Sequence, residues 1–105
     1  MGVAPPLRGC RPNRKRYYHN VYYVYVLKSL KDQKIYTGYS SNLKRRILEH
    51  HSGLVESTKN RRPIKLIYYE AFLDKRDAQN REKYLKSGGK AKIGLKLQIK
   101  NSLEI

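Results

Sequence analysis

Arg46 and His50 stand four residues apart in the stretch "NLKRRILEHH", one turn of a helix if that stretch is helical. Leu43 and Ile47 would form its apolar stripe. Arg46 and His50 would then run along one flank of the stripe, against the sheet, while Lys44, Arg45 and Glu49 would face solvent. Further along, Glu82 falls between Ala78 and Leu85 at helical spacing, on the apolar stripe of a second helix. A carboxylate there is costly to bury unless a cation meets it. Arg46 is one candidate cation, making a structural ion pair. A divalent metal is the other, since Mg²⁺ is typically held by one or two carboxylates plus phosphate and water. Arg46 also has a plain reading as a long side chain snorkelling at a core edge. Tyr25 and Tyr36 belong to two strand-like segments, and Tyr36 precedes Gly38 by two residues. That glycine either lets a backbone or phosphate come close or marks a bulge. Two tyrosines, an arginine, a histidine and one glutamate have a joint chemical use. Phosphodiester hydrolysis needs a metal to polarise a phosphoryl oxygen, a cation to offset transition-state charge and a group to take a proton from water. A tyrosine fills the last role only if nearby cations lower its pKa from ~10.

The elements that must position these residues follow from local pattern. "VYYVYVLK" (21–28) is dense in β-branched and aromatic residues and predicts a strand. "SLKDQ" supplies a turn with Asp32 as turn former, and "KIYTGY" is the second strand of a hairpin. Ser40, Ser41 and Asn42 are helix-starting residues, and the helix "LKRRILEHH" stops at Gly53. Residues 54–63 form a basic loop closed by Pro63, and "IKLIYYEAFL" (64–73) is a third strand. Asp74 is a natural N-cap for "KRDAQNREKYLKS", with Gly88 and Gly89 ending that helix. The tail alternates like a strand at Ala91, Ile93, Leu95, Leu97 and Ile99, yet Ile93 and Leu97 can also line a helix, which is the assignment made. The fold class is α+β: a small three-stranded antiparallel sheet flanked by two to three helices, in one domain over 21–105. Most tyrosines, Tyr22, Tyr68 and Tyr69 among them, read as ordinary strand residues.

Charge bounds the partner. The chain of 105 residues carries 24 Lys and Arg against 8 Asp and Glu, a formal net charge of +16. Residues 1–20 are rich in Pro, Gly and Arg and read as a disordered basic arm. A transit segment, an upstream start and a DNA-binding tail all fit it. Without the arm, 19 basic residues still face 8 acidic ones, so the field belongs to the domain. It favours a polyanion, of which nucleic acid is the commonest. No basic amphipathic helix with a bulky apolar face speaks for a membrane surface. Cys10 is the sole cysteine, which rules out an internal disulfide and a thiolate zinc cluster and fits a reducing, cytoplasmic setting.

"YVYVL", "IYTG", "NLKRRILEH" and "NREKYLKS", in that order and spacing, resemble the GIY-YIG nuclease superfamily, and in particular its short single-domain bacterial members. The resemblance covers roughly residues 21–100. It aligns Tyr23-Val24-Tyr25 and Tyr36-Thr37-Gly38 with the two name-giving triplets. It implies that Tyr25 and Tyr36 line an active site and that one of them is the general base. It further implies that Arg46 binds the scissile phosphate, that His50 stands beside it, and that Glu82 holds a single Mg²⁺ or Mn²⁺. Two departures stand out: Tyr23 replaces the first Gly, and Thr37 replaces the usual aliphatic residue. Some members use a late Asn, but Asn101 lies too far along to be assigned. The larger enzymes carry a separate DNA-binding domain for which this chain has no room. Lys44, Arg45, Lys59, Arg61 and Arg62 are therefore the candidate nucleic-acid contacts, helped by a protein partner where target choice needs one.

Three functions compete on these grounds. The first is a monomeric, metal-dependent endonuclease acting on DNA, structure-selective and serving repair or processing. The second is a nucleic-acid binding module that keeps the fold without turnover. The third is an accessory subunit whose arm docks an acidic partner.

Overall fold

A computed structural model describes residues 20–105. The basic arm assigned to 1–20, apart from Asn20, lies outside the described residues. Three antiparallel strands, β1 (Tyr22–Ser29), β2 (Ile35–Ser40) and β3 (Ile64–Phe72), form a sheet in the order β2-β1-β3. Helix α1 (Leu43–His51) follows the hairpin; α2 (Lys75–Lys86), α3 (Gly89–Gln98) and the short α4 (Lys100–Leu103) follow β3. A single 3₁₀ turn, Lys59–Arg61, interrupts the basic loop. The α+β class expected from the pattern is therefore the one observed. Among the described residues no helix is long and apolar enough to cross a membrane.

β1 is the central strand and is covered on both faces, so Val24, Tyr25, Val26 and Leu27 are all fully buried. This is why its sequence is a continuous apolar and aromatic run. Strand alternation then divides the core in two. One face presents Tyr25, Leu27, Ile64, Leu66 and Tyr36 to Leu43 and Ile47 of α1. The other presents Val24 and Val26 to Ala78 and Leu85 of α2, with Leu95 and Ile99 beyond. The two helical layers hold candidate residues from opposite sides of one thin sheet.

The hairpin turn forms without glycine because Gln33 takes the left-handed conformation, φ 64°. Ser29 Oγ accepts from the backbone N–H groups of Lys31 and Asp32, and Asp32 Oδ1 accepts from Lys34 N. The tail is helical as assigned, but its buried stripe is Ala91, Leu95 and Ile99, at i, i+4 and i+8. Ile93 and Leu97, the residues expected to line it, are 61% and 68% exposed. Alternation and helical periodicity share every fourth residue, so the pattern alone could not choose the phase. Gly88 ends the α2 segment in the left-handed region, whereas Gly89 already opens α3.

Candidate functional site

Local capping aims α1 at the hairpin. Asn42 Oδ1 accepts from Arg45 N at 3.1 Å, while Ser40 Oγ accepts from Asn42 N and donates to Asn42 O. The helix entry is thus tied to the last residue of β2, which fixes where Arg46 and His50 fall.

His50 is fully buried and sits in a chain of hydrogen bonds. Its Nε2 meets the Tyr25 hydroxyl at 2.8 Å, and its Nδ1 meets Thr58 Oγ1 at 2.7 Å. The charge of Arg46 lies close enough to the same Tyr25 hydroxyl to draw its pKa down. A neutral imidazole has one donor and one acceptor nitrogen, so either Nε2 accepts from the Tyr25 hydroxyl while Nδ1–H donates to Thr58 Oγ1, or the roles are reversed. The Tyr36 ring packs edge-on against His50, with centroids 5.4 Å apart. Tyr25 pairs in register with Gly38, two residues past Tyr36, so both phenols lie on the α1 face of the sheet.

Glu82 reaches this cluster from the other layer. α2 packs against β1 and the edge strand β2. Its 82/86 flank therefore stands at the sheet edge. Lys86 Nζ is 3.0 Å from Glu82 Oε2 and 5.6 Å from the Tyr36 ring centroid. The negative charge of Glu82 is felt by Tyr25. A shallow groove of about 230 Å³ runs past Tyr36, Lys86 and Lys92.

The candidate ion pair between Arg46 and Glu82 does not form; the partner of Glu82 is Lys86, one turn along α2. Arg46 instead meets Glu49 at 3.0 Å, so Glu49 is not part of a separate solvated face. Gly38 admits neither a phosphate nor a bulge: a Cβ there would lie 2.4 Å from Tyr25 Cζ and Oη. The glycine makes room for the ring of its cross-strand partner.

The structure brings Tyr25, Tyr36, Arg46 and His50 together, with Glu82 at their border. The five basic residues assigned to nucleic acid are more scattered. Lys44 and Arg45 are exposed on α1, Arg45 lying 3.7 Å from Glu49. Lys59 pairs with Glu56, and Arg61 pairs with Asp32. Arg62 folds over Gly53 and donates to the carbonyls of Lys59 and His51. Sequence reading missed Thr58 and Lys86. Lys86 was detectable, because Glu82 and Lys86 have the i,i+4 spacing of a helical ion pair. Thr58 gave no signal, being one polar residue in a loop.

The electrostatics follow from burial. Desolvation pushes the Tyr25 phenol up to about 12, aided by the nearby Tyr36 and Glu82 and opposed by Arg46. Desolvation, then the charge of Arg46, holds His50 down at about 4; Glu49 raises it slightly and His51 lowers it. Stability should register this. An unfolded histidine titrates near ~6.5, so between that pH and about 4 the unfolded chain binds a proton that the native state refuses. The contribution is complete above pH ~6.5 and is lost as pH falls, at ~1.4 kcal/mol per unit and of order 3 kcal/mol in all. Urea unfolding at pH 7, 6 and 5 should show that slope in the parent and lose it in His50→Gln; equal slopes in both would refute the assignment.

The residues present suit only one kind of metal site. Among the described residues no three His, Cys, Asp or Glu side chains cluster as a metal cage. Glu82 is a single carboxylate with a side-chain exposure of 22% and, among the described residues, a flexible lysine as its ion-pair partner. That fits Mg²⁺ or Mn²⁺, which take one or two carboxylates and leave the remaining positions to water and phosphate. It does not fit a closed zinc site.

Comparison with known proteins gives the family. The model of the GIY-YIG catalytic domain family matches residues 21–94. The chain is 45% identical over 84 residues to the UPF0213 protein CPE1444 of Clostridium perfringens, covering 79% of this chain and 86% of that one. It is 37% identical over 84 residues to the UPF0213 protein YazA of Bacillus subtilis, covering 79% and 84%. The solution NMR structure of the UPF0213 protein BH0048 from Bacillus halodurans is 34% identical, with 76% of this chain and 85% of that chain covered and a TM-score of 0.48. The matched region takes in both tyrosine triplets, Arg46, His50 and Glu82, and on it the chain belongs to the GIY-YIG family.

Proposed function

We propose that the protein is a Mg²⁺- or Mn²⁺-dependent endonuclease that hydrolyses phosphodiester bonds of DNA. The observation that carries this is the hydrogen-bonded sequence Tyr25–His50–Thr58, with the charge of Arg46 beside the phenol and with Tyr36 and the Glu82 carboxylate at its border. Burial alone would make His50 neutral; what points to chemistry is that two tyrosines, an arginine and a carboxylate, drawn from β1, β2, α1 and α2, gather around it on a basic domain.

Each side chain has a role in this reading. Arg46 keeps donors to spare beyond Glu49 and takes the scissile phosphate. Glu82, released from Lys86, would hold the divalent ion, which when bound polarises a phosphoryl oxygen. A phenol at about 12 cannot stand as free phenolate near neutral pH, but it can relay. Seating a phosphate on Arg46 must open the buried phenol to the attacking water. With His50 in the tautomer whose Nε2 accepts, Tyr25 oxygen then takes a proton from that water as its own proton passes along the 2.8 Å bond to Nε2. A phosphate seated on Arg46 helps, because it offsets one of the charges that keep His50 neutral. Tyr36 and the lysines at the sheet edge complete the wall against which the strand lies. A role in DNA repair or processing would follow from a preference for branched, nicked or single-stranded substrates.

The test is cleavage of a panel of duplex, nicked, branched and single-stranded DNAs with Mg²⁺, Mn²⁺ or EDTA. Cutting in the metal lanes only is expected. No cutting of any substrate with either metal would overturn the proposal and favour the binding-module reading, which the prior pairing of Arg46 with Glu49 and Glu82 with Lys86 also suits.

A further inference from the structure

A groove larger than the one past Tyr36 lies away from the cluster above. It lies on the other side of α1, toward β3, with a volume of about 690 Å³. Its floor is Tyr23 and Tyr69, packed edge to face with ring centroids 6.0 Å apart and planes at 66°. Tyr69 stands directly across from Tyr25 in the sheet and is 53% exposed. A second groove, of about 610 Å³, is lined by Lys31, Lys59 and Arg62, and His51 borders both. Neither groove has an acidic side chain in its lining. Lys44 adds a cation at the far end of the first.

We propose that these two grooves form one track for an unpaired nucleic-acid strand, with Tyr69 and Tyr23 as the stacking platform for a base and Lys31, Lys59, Arg62 and Lys44 along the phosphates. This deepens the nuclease reading by naming its substrate class, and it rests on that reading for the fate of the strand. A positively charged groove that leads to exposed aromatic faces is the usual chemistry of single-strand binding, since every base has a π-face and stacking tolerates any sequence. A duplex keeps its bases stacked on each other, so rings sunk between a helix and a sheet meet only a splayed base. Tyr69 therefore does more than the strand-filling role that its sequence context suggests. An acidic peptide would match the cations but has no use for the paired phenol rings.

Binding measured by fluorescence anisotropy in EDTA tests this without cleavage. The probes are a labelled twelve-nucleotide thymidine strand, an abasic strand of equal length and a blunt duplex. The full-length parent should hold the thymidine strand about tenfold more tightly than the abasic one. Tyr69→Ala should lose about tenfold on the thymidine strand and nothing on the duplex. Tyr69→Phe, which keeps the ring, should stay within about twofold of the parent. Equal affinity for abasic and thymidine strands, or a Tyr69→Ala variant that binds like the parent, would overturn the track. Because no metal is present, either outcome is independent of whether the protein cuts.

Discussion

Replacing Glu82 with glutamine is expected to lower metal-dependent cleavage by at least about 10³-fold while leaving the domain folded. The two halves of that expectation have separate causes. Among the described residues no cage of three or more metal-binding side chains exists, so the loss of one charge would remove the protein's main hold on the ion. The stability cost is small, because the lost ion pair with Lys86 is a partly exposed i,i+4 contact, worth roughly 0.3–0.5 kcal/mol. Thermal unfolding should therefore move by no more than a few degrees. DNA binding in EDTA supplies the third readout. A carboxylate repels phosphate in the absence of metal, so the variant should bind DNA as well as the parent or better. Cleavage by Glu82→Gln at the parent rate would remove the carboxylate from the mechanism. A variant that loses both activity and fold would assign it to structure instead.

How much of this was legible in the sequence depends on the range of the interaction. Strands, helices and caps are set by residues a few positions apart, and Asn42 and Asp74 cap the helices their positions suggested. Tyr25, Arg46 and His50 were also readable, since helical spacing places the last two on one flank and strand alternation directs the first. The partners of the charged groups were not. Whether Glu82 meets Arg46 or Lys86 depends on which side of the sheet α2 covers, and no local pattern encodes that. α1 and α2 pack on opposite faces, so the local partners Glu49 and Lys86 win. Thr58 is the same lesson in a loop: it is buried against His50 by the path of residues 54–63, which contains little periodic structure. The exposure of Tyr69 was not legible for a further reason. A tyrosine in a strand looks alike whether a helix covers it or α1 stops short of it.

Gly38→Ala is expected to be the most damaging small change in the hairpin. Glycine to alanine in a strand normally stabilises by ~0.4–1 kcal/mol where the backbone conformation allows it, through the unfolded chain. Gly38 has no left-handed backbone, so conformation raises no objection. Space does. The new methyl carbon would stand 2.4 Å from Tyr25 Cζ and Oη and 2.9 Å from Cε1. The ring has little room to yield, being fully buried with its hydroxyl bonded to His50. Overpacking of this kind costs ~1–3 kcal/mol. Any retreat of the ring also breaks the 2.8 Å bond on which the proposed relay depends, and a misplacement near 1 Å costs about 10²-fold in rate. Both effects have one origin, which a double-mutant cycle can expose. In a Tyr25→Ala background the clash is gone, so Gly38→Ala should become neutral or stabilising in urea melts. The sign of a single methyl group would then be set by the ring across the strand. If Gly38→Ala is equally harmful in both backgrounds, the glycine serves the backbone and not Tyr25.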